Sequence, residues 1–475
     1  MYYLLIMSKD FGCSTLTGKD DDMYKLDKYK FGLGLFFTSL FAVTQNQFVI
    51  LAYFLVLFCQ EFYYMTKFRH DKMIQQILMS IPLMGITVVH GFPLGNVYIA
   101  FFALYLLFIY RKIGLKKSKF FVFIFFIYAD LLRWSIFSDA GFNAVGITSI
   151  PILYLCIFAG ISAFEETSRS QLMNAYIPSF IEGVVLSVLY GAITRFLAGG
   201  FVNIFVNKSI LNRNEGASGD PNYFGLYICL AVAMLIFLMM EERSYSVLNY
   251  LSAFLLLLFG LSSSSRMFYI IALVLIIMLL FVFVIQIFKG SILPNAFILL
   301  VLGLALFVTK DIFFSNINYL LTRFEMDNIS QLTSGRSDLL GSYVEFTNSA
   351  WIRMLFGIGI AQYNIRSGIG AYAHNMYIEF YVTLGLIGSV VLLVIGIIFL
   401  LNNLMNRNRK HFTIWTLLPL AIIGIGGFGV NFLEVDSFYM LMSLVFAIVT
   451  INDKEKRVNE INWLDDYQLN TKYWR

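Results

Sequence analysis

The chain has 475 residues, 59% of them hydrophobic and only 13% charged, with a formal net charge of +5 and a mean hydropathy of +0.76. A soluble domain carries about 25% charged and roughly 45–50% apolar residues, so the soluble globular classes are excluded. Apolar runs long enough to cross a bilayer as helices recur from residue 31 to residue 451. The period-two alternation of a transmembrane barrel is missing, so an all-α polytopic membrane protein is expected.

Residues 1–30 are expected to be a cytoplasmic leader. "MSKDFGCSTLTGKDDDMYKLDKYK" is polar and no small-residue cleavage site follows it, which makes the first span an uncleaved anchor. About fourteen spans are expected: 31–44, 48–64, 73–90, 96–110, 120–137, 143–163, 175–197, 222–240, 245–261, 267–288, 291–309, 376–401, 412–432 and 434–451. Pro151, Pro178 and Glu182 allow re-entrant segments in place of 143–163 or 175–197, which would reduce the total to twelve. The organisation is thus a membrane domain over 31–309, a large extracytoplasmic loop over 310–375, C-terminal membrane helices over 376–451 and a cytoplasmic tail over 452–475. Cys13, Cys59, Cys156 and Cys229 have no spacing that suggests a disulfide framework or a zinc site.

Orientation follows from short basic loops, which stay cytoplasmic. "KFRHDK" (67–72), "RKIGLKKSK" (111–119) and "NRNRKH" (406–411) all fall on one side, together with both termini. The opposite side then holds Arg195, Arg213, Arg266, Arg323, Arg336, Arg353 and Arg366, against only Lys208 and Lys310. A guanidinium pairs bidentately with phosphate, whereas an ammonium acts as a point charge. An arginine-rich outer face points to a phosphorylated ligand, or to anchoring at lipid headgroups. No carboxylate cluster that would bind a metal, such as Asp-x-Asp, occurs in the outer segments, and no cofactor is expected.

Four outer stretches carry short motifs: "NRNEGASGDPNYFG" (212–225), "SSSSRMF" (262–268), "TSGRSDLL" with "WIRMLFGIGIAQY" (333–340 and 351–363), and "AHNMYIEF" (373–380). In order they supply Arg213, Gly216, Asp220-Pro221-Asn222, Ser265-Arg266, Gly335-Arg336, Trp351, Gly357-Ile358-Gly359, His374-Asn375 and Gly385-Leu386-Ile387-Gly388. This ordered set resembles the O-antigen ligase and polymerase superfamily, which includes the Wzy-type polymerases of lipid-linked glycans. The resemblance covers residues 212–388. It implies a GT-C-like membrane glycosyltransferase of about 12–14 helices, in the cytoplasmic (inner) membrane, with its active site on the extracytoplasmic side.

The resemblance further implies transfer of a glycan from a polyprenyl-pyrophosphate carrier to a sugar hydroxyl, with a chain-length regulator as a possible partner and no nucleic acid. The departing pyrophosphate needs positive charge, and Arg266 and Arg336 match the family's arginines. Arg213 and Arg323 are further substrate-binding candidates, as are Asp220, Asn222 and Asn375. The attacking hydroxyl benefits from a base near neutral pH, the task histidine suits. His70 and His411 fall on the cytoplasmic side, and His90 has no motif around it, which leaves His374 as the catalytic candidate. Asn375 has an equal reading as a helix N-cap.

Other polar residues have plainer readings. Asp130 and Arg133, three apart on one helix, would pair with each other. Glu182 lacks an obvious local partner, and Glu434 and Asp436 lie at an outer turn. "FGIGI" and "GLIG" read as small residues for turns and helix packing. Three rivals to a polymerase remain: a ligase that moves finished glycan to another acceptor, a flippase for lipid-linked oligosaccharide, and a peptidoglycan polymerase, whose acidic motif set is not found. A flippase would hold its charges around a cavity at mid-membrane.

Overall fold

The computed structural model describes residues 21–67, 69–89, 92–108, 117–137, 144–164, 167–206, 213–242, 247–289, 292–322, 336–405, 414–433 and 435–450. The chain enters through α1 (Asp21–Thr44), α2 (Gln47–Thr66) and α3 (His70–Ser80). A 3-10 turn, Ile81–Thr87, follows, and then a two-residue antiparallel pair joins β1 (Val88–Val89) to β2 (Phe92–Pro93). Next come α4 (Leu94–Phe108), α5 (Lys117–Phe137), α6 (Ala144–Ala163) and α7 (Arg169–Phe205), whose second turn is a π-helix at Leu172–Tyr176. The middle of the chain forms α8 (Pro221–Glu242), α9 (Val247–Leu261), α10 (Arg266–Lys289) and α11 (Ile292–Thr322). Short helices α12 (Arg336–Asn348), α13 (Trp351–Phe356) and α14 (Tyr363–Arg366) precede α15 (Met376–Met405), α16 (Ile414–Gly426) and α17 (Asp436–Thr450).

Each expected span contains helix, and five helices (α2, α7, α8, α10 and α15) are long and apolar enough to cross a membrane. The chain is therefore all-α in architecture and compatible with a membrane-embedded protein. Several boundaries differ from expectation, three of them for a clear backbone reason. Helix α1 starts at Asp21 and α11 runs on to Thr322, because backbone hydrogen bonding continues where hydropathy falls. The segment 73–90 is only partly α-helical: Pro82 lacks an N–H, and the chain tightens to 3-10 from Ile81 to Thr87. There Gly85 lies against the Ser218–Gly219 backbone, where any Cβ would overlap it.

Packing separates the helices by exposure. In α8, 83% of a membrane-length window is buried, against 6% in α15. α8 is the central post, packed on α7, α9, α10 and α16. Apolar burial of this extent supplies most of the cohesion inside the bundle. α15 instead exposes Val390, Leu393, Ile395 and Leu401, side chains suited to acyl tails.

Helix α15 breaks at Gly385, whose φ of 69° lies in the region that favours glycine. The break frees carbonyls that an intact helix would bond internally. The Gly357–Gly359 strip fills that role: Ile358 N–H donates to Val382 O at 3.0 Å and Gly359 N–H to Thr383 O at 3.0 Å. Gly357, with φ 68°, faces Thr383 and Gly385 with no room for a Cβ. The two small-residue motifs thus serve a turn and a close packing contact, as the sequence suggests.

Candidate functional site

The first motif loop is assembled by side chains of its own and of the serine turn. Arg213 Nε donates to Ser263 O at 2.9 Å, and its Nη2 donates to Asn222 Oδ1 at 3.2 Å. Ser265 Oγ donates to the same Asn222 oxygen at 2.9 Å. Asn214 bonds Ser262 twice, N–H to O at 3.0 Å and Nδ2 to Oγ at 2.8 Å. Ser262, Ser263, Ser264 and Ser265 are all buried. Asp220 caps α8: its Oδ1 accepts from Asn222 N at 2.6 Å and Tyr223 N at 3.2 Å, with Pro221 in the first helical position.

A second assembly gathers around the turn after α16, residues 426–431. Met376 N–H donates to Gly427 O at 2.7 Å, and Arg336 Nη1 donates to Gly429 O at 3.4 Å. A Cβ on Gly429 would come within 3.1 Å of Met267 Sδ, next to Arg266. Tyr223 hydroxyl donates to the backbone oxygen of Asn431, and Phe432 N–H donates to Glu379 Oε2 at 2.7 Å. This one turn therefore ties together the starts of α8, α10, α12 and α15. Those starts carry Asp220, Arg266, Arg336 and His374.

His374 occupies the left-handed region, with φ 48°, uncommon for a residue with a side chain and a frequent mark of functional loops. It is half-buried. Burial holds its imidazole below the ordinary histidine range; the nearby Arg336 charge adds to this, and Asp220 opposes it. Burial and the Arg336 charge both favour the neutral imidazole, which has a guanidinium and a carboxylate within electrostatic range. That arrangement can accept a proton from a hydroxyl while a cation neutralises an anionic group alongside. Glu215, in the same loop as Asp220, has its carboxyl raised by partial burial and by Asp220, and lowered in turn by Arg213.

The structure thus brings Arg336 and Asp220 within electrostatic range of His374, while Arg266 opens α10 and its neighbour Met267 packs on Gly429 of the turn. Two expected binding residues also brace the loop: Arg213 and the buried Asn222 hold it to the serine turn. Asn375 is an N-cap, its Oδ1 accepting from Tyr377 N at 3.0 Å and Ile378 N at 3.2 Å. Arg323, His90, His411, Glu434 and the side chain of Asp436 lie outside the described residues.

Three of the other arginines expected on the outer side have structural partners. Arg195 donates to Asn203 O at 2.5 Å and Val206 O at 3.0 Å, across the break in α7 at Gly199–Gly200. Arg353 stacks over the Phe346 ring at 4.5 Å. Arg366 pairs with Asp130 at 2.9 Å, both side chains having 0% exposure. Asp130 therefore does not pair with Arg133 as sequence spacing suggested. Its oxygen finds a partner on α14 because Gly359, lacking a Cβ, lets the α13–α14 loop approach α5.

Sequence reasoning passed over Tyr223, Glu379, Gly429 and Asn431, which stand next to motif residues in space. A usable signal was present for Glu379, an acid on an apolar helix five residues after His374. It also passed over Glu61 on α2, a buried carboxyl with neither oxygen hydrogen-bonded. Among the described residues, no group of three or more His, Cys, Asp and Glu is placed to hold a metal ion. No family model matches the chain, and no curated protein matches it either.

Proposed function

We propose that the chain is a membrane glycosyltransferase that polymerises polyprenyl-pyrophosphate-linked oligosaccharide repeat units, as in O-antigen, capsule or exopolysaccharide. The observation that carries this reading is the His374–Arg336–Asp220 group, with Arg266 at the start of α10, next to the Met267 that packs on the turn. It pairs a proton acceptor that is neutral at pH 7 with cations suited to a leaving pyrophosphate. The ordered motifs over residues 212–388 support it further. In this reading the helices form a GT-C-like bundle of about 12–14 spans in the cytoplasmic membrane. The site faces outward and both termini face the cytoplasm.

His374 takes the proton from the acceptor hydroxyl as that oxygen attacks the anomeric carbon of the donor. The bond from that carbon to the pyrophosphate oxygen breaks, and polyprenyl pyrophosphate leaves with the electron pair. Arg266 and Arg336 neutralise the charge that develops on it. A single displacement inverts the anomeric centre, and the donor's own pyrophosphate supplies the activation.

The test is incubation of purified protein with a defined polyprenyl-pyrophosphate repeat unit, with products separated as a ladder. Wild type is expected to give the ladder, and His374→Ala to slow it by about 10²-fold or more. A His374→Ala rate equal to wild type would remove the base assignment. Transfer only to a different lipid acceptor would make the protein a ligase, and movement of lipid-linked glycan without transfer would make it a flippase.

A further inference from the structure

Trp351 is a motif residue that the proposed reaction leaves unused, and it is 66% exposed. It opens the short helix α13, which Phe356, 45% exposed, closes. The helices on either side of α13 in the chain, α12 and α15, expose opposite kinds of surface. Over α12 and the turn after it the exposed residues are Asp338, Gly341, Ser342, Glu345, Asn348 and Ser349, and none carries an apolar side chain. On α15 they include Leu386, Ile387, Val390, Leu393 and Leu401. The first surface suits water and the second suits acyl chains.

Length shows where the second surface falls short. The exposed apolar stretch of α15 runs from Leu386 to Leu401, and residues 386–401 rise about 24 Å as helix. A bilayer's hydrocarbon core is about 30 Å thick, so about 6 Å of apolar surface is missing. Asn402 and Asn403 follow Leu401 directly, which puts the deficit at the Gly385 end. There α15 turns Val382 inward, and the Tyr381 hydroxyl donates to Asn348 Oδ1 of α12.

Helix α13 makes up the deficit. It packs on α15, and Phe356 immediately precedes Gly357, which meets the Thr383 and Gly385 backbone. Its exposed rings thus continue the apolar surface that begins at Leu386. The charge on α13 points the other way: Arg353 lays its guanidinium over the Phe346 ring of α12 at 4.5 Å. Long cationic side chains carry their charge out of lipid in this manner. The broken backbone at Gly385 obeys the same constraint, since irregular backbone at membrane depth is tolerated only under protein cover. The N–H groups of Ile358 and Gly359, bonded to Val382 O and Thr383 O, provide that cover.

We propose that α13 is seated in the bilayer, in the leaflet nearer His374, with Trp351 and Phe356 against lipid and α12 in water. Part of the segment 310–375, expected as one large loop, is then a membrane anchor, with its apolar face about 5–10 Å into the boundary between headgroups and acyl chains. Tryptophan is enriched at that boundary. The anchor holds the 357–359 strip at a fixed depth, whatever reaction the His374 group performs.

The test uses full-length protein in phosphatidylcholine nanodiscs, with Trp463→Phe and Trp474→Phe to silence the tail. The background tryptophans Trp134 and Trp415 are buried. Trp351 emission is the difference between this protein and the same protein carrying Trp351→Phe. Phosphatidylcholine brominated on its acyl chains near the headgroup is expected to lower that emission at least about twofold, and aqueous acrylamide to lower it by less than about a fifth. Glu345→Trp, with Trp351 retained, adds an emitter on α12 that should respond the opposite way. Phe356→Trp, also with Trp351 retained, adds one that should respond as Trp351 does, and it decides if Trp351→Phe does not fold. Quenching by acrylamide without quenching by bromine would place α13 in water. Quenching by neither would place it against protein, in this chain or a second copy. Either result overturns the proposal.

Discussion

The Arg366–Asp130 pair offers the sharpest energetic test, because both side chains are fully buried and belong to distant parts of the chain. Arg366→Met removes the 2.9 Å contact to Asp130, the 2.6 Å hydrogen bond to Ile358 O and the guanidinium stacked 4.3 Å over Trp134. Asp130 would keep the Ala361 N–H, at 3.4 Å, and the Tyr154 hydroxyl. Removing one member of a buried pair costs about 3–5 kcal/mol, because a charge is left without its partner. Replacing both members with apolar residues of similar size is often close to neutral. We therefore expect Arg366→Met and Asp130→Leu each to lose about 3–5 kcal/mol. The double variant should lose far less than their sum, a coupling of at least about 3 kcal/mol. Equilibrium unfolding in mixed micelles, followed by tryptophan fluorescence, reads all four corners of the cycle. Single losses below about 1 kcal/mol, or a double loss equal to the sum, would refute the reasoning.

The pH profile of the proposed glycan transfer tests the charges around His374. A neutral base gives a rate that rises with pH through its pKa. Wild type, with that pKa lowered by burial and Arg336, should already be at its plateau near neutral pH. Arg336→Gln should move the acid limb to higher pH and Asp220→Asn to lower pH; movement of both in one direction would contradict the assignment. Asn375→Ala should lower unfolding stability by about 1 kcal/mol while Asn375→Asp stays within a few tenths, and equal losses would remove the cap reading. Gly357→Ala and Gly385→Ala should each cost at least about 1–3 kcal/mol from backbone strain alone. On the same helix, Gly396→Ala, where a Cβ meets nothing within 4 Å, should cost nothing measurable by thermal unfolding.

Hydropathy placed the helices well, because a run of apolar residues is a local property and bilayer crossing depends on little else. It failed where backbone chemistry decides, as in the 3-10 turn after Ser80 and the continuation of α11 beyond residue 309. The ordered polar motifs located the residues that stand around the 426–431 turn, but not what each side chain touches there. For Arg213 and Asn222 the motif suggested a ligand, and their approach to Ser263 and Ser265 adds a bracing role that no local pattern encodes. Asp130 and Arg366 lie 236 positions apart in sequence, and helix spacing naturally favoured Arg133. Tyr223, Glu379 and Asn431 carried no motif, and their importance comes wholly from long-range hydrogen bonds.

The 426–431 turn also bears on how such a site changes over time. It receives Met376, Arg336, Tyr223 and the packing of Met267 within a few residues, and Glu379 binds the adjoining Phe432. A substitution at any one of these shifts the backbone on which the others rest, so their effects should be epistatic instead of additive. Under the proposed function, adapting this site to a new sugar would then require paired changes, one on a motif helix and one on the turn. Drift at one of these positions alone would be penalised even where the residue never meets the substrate.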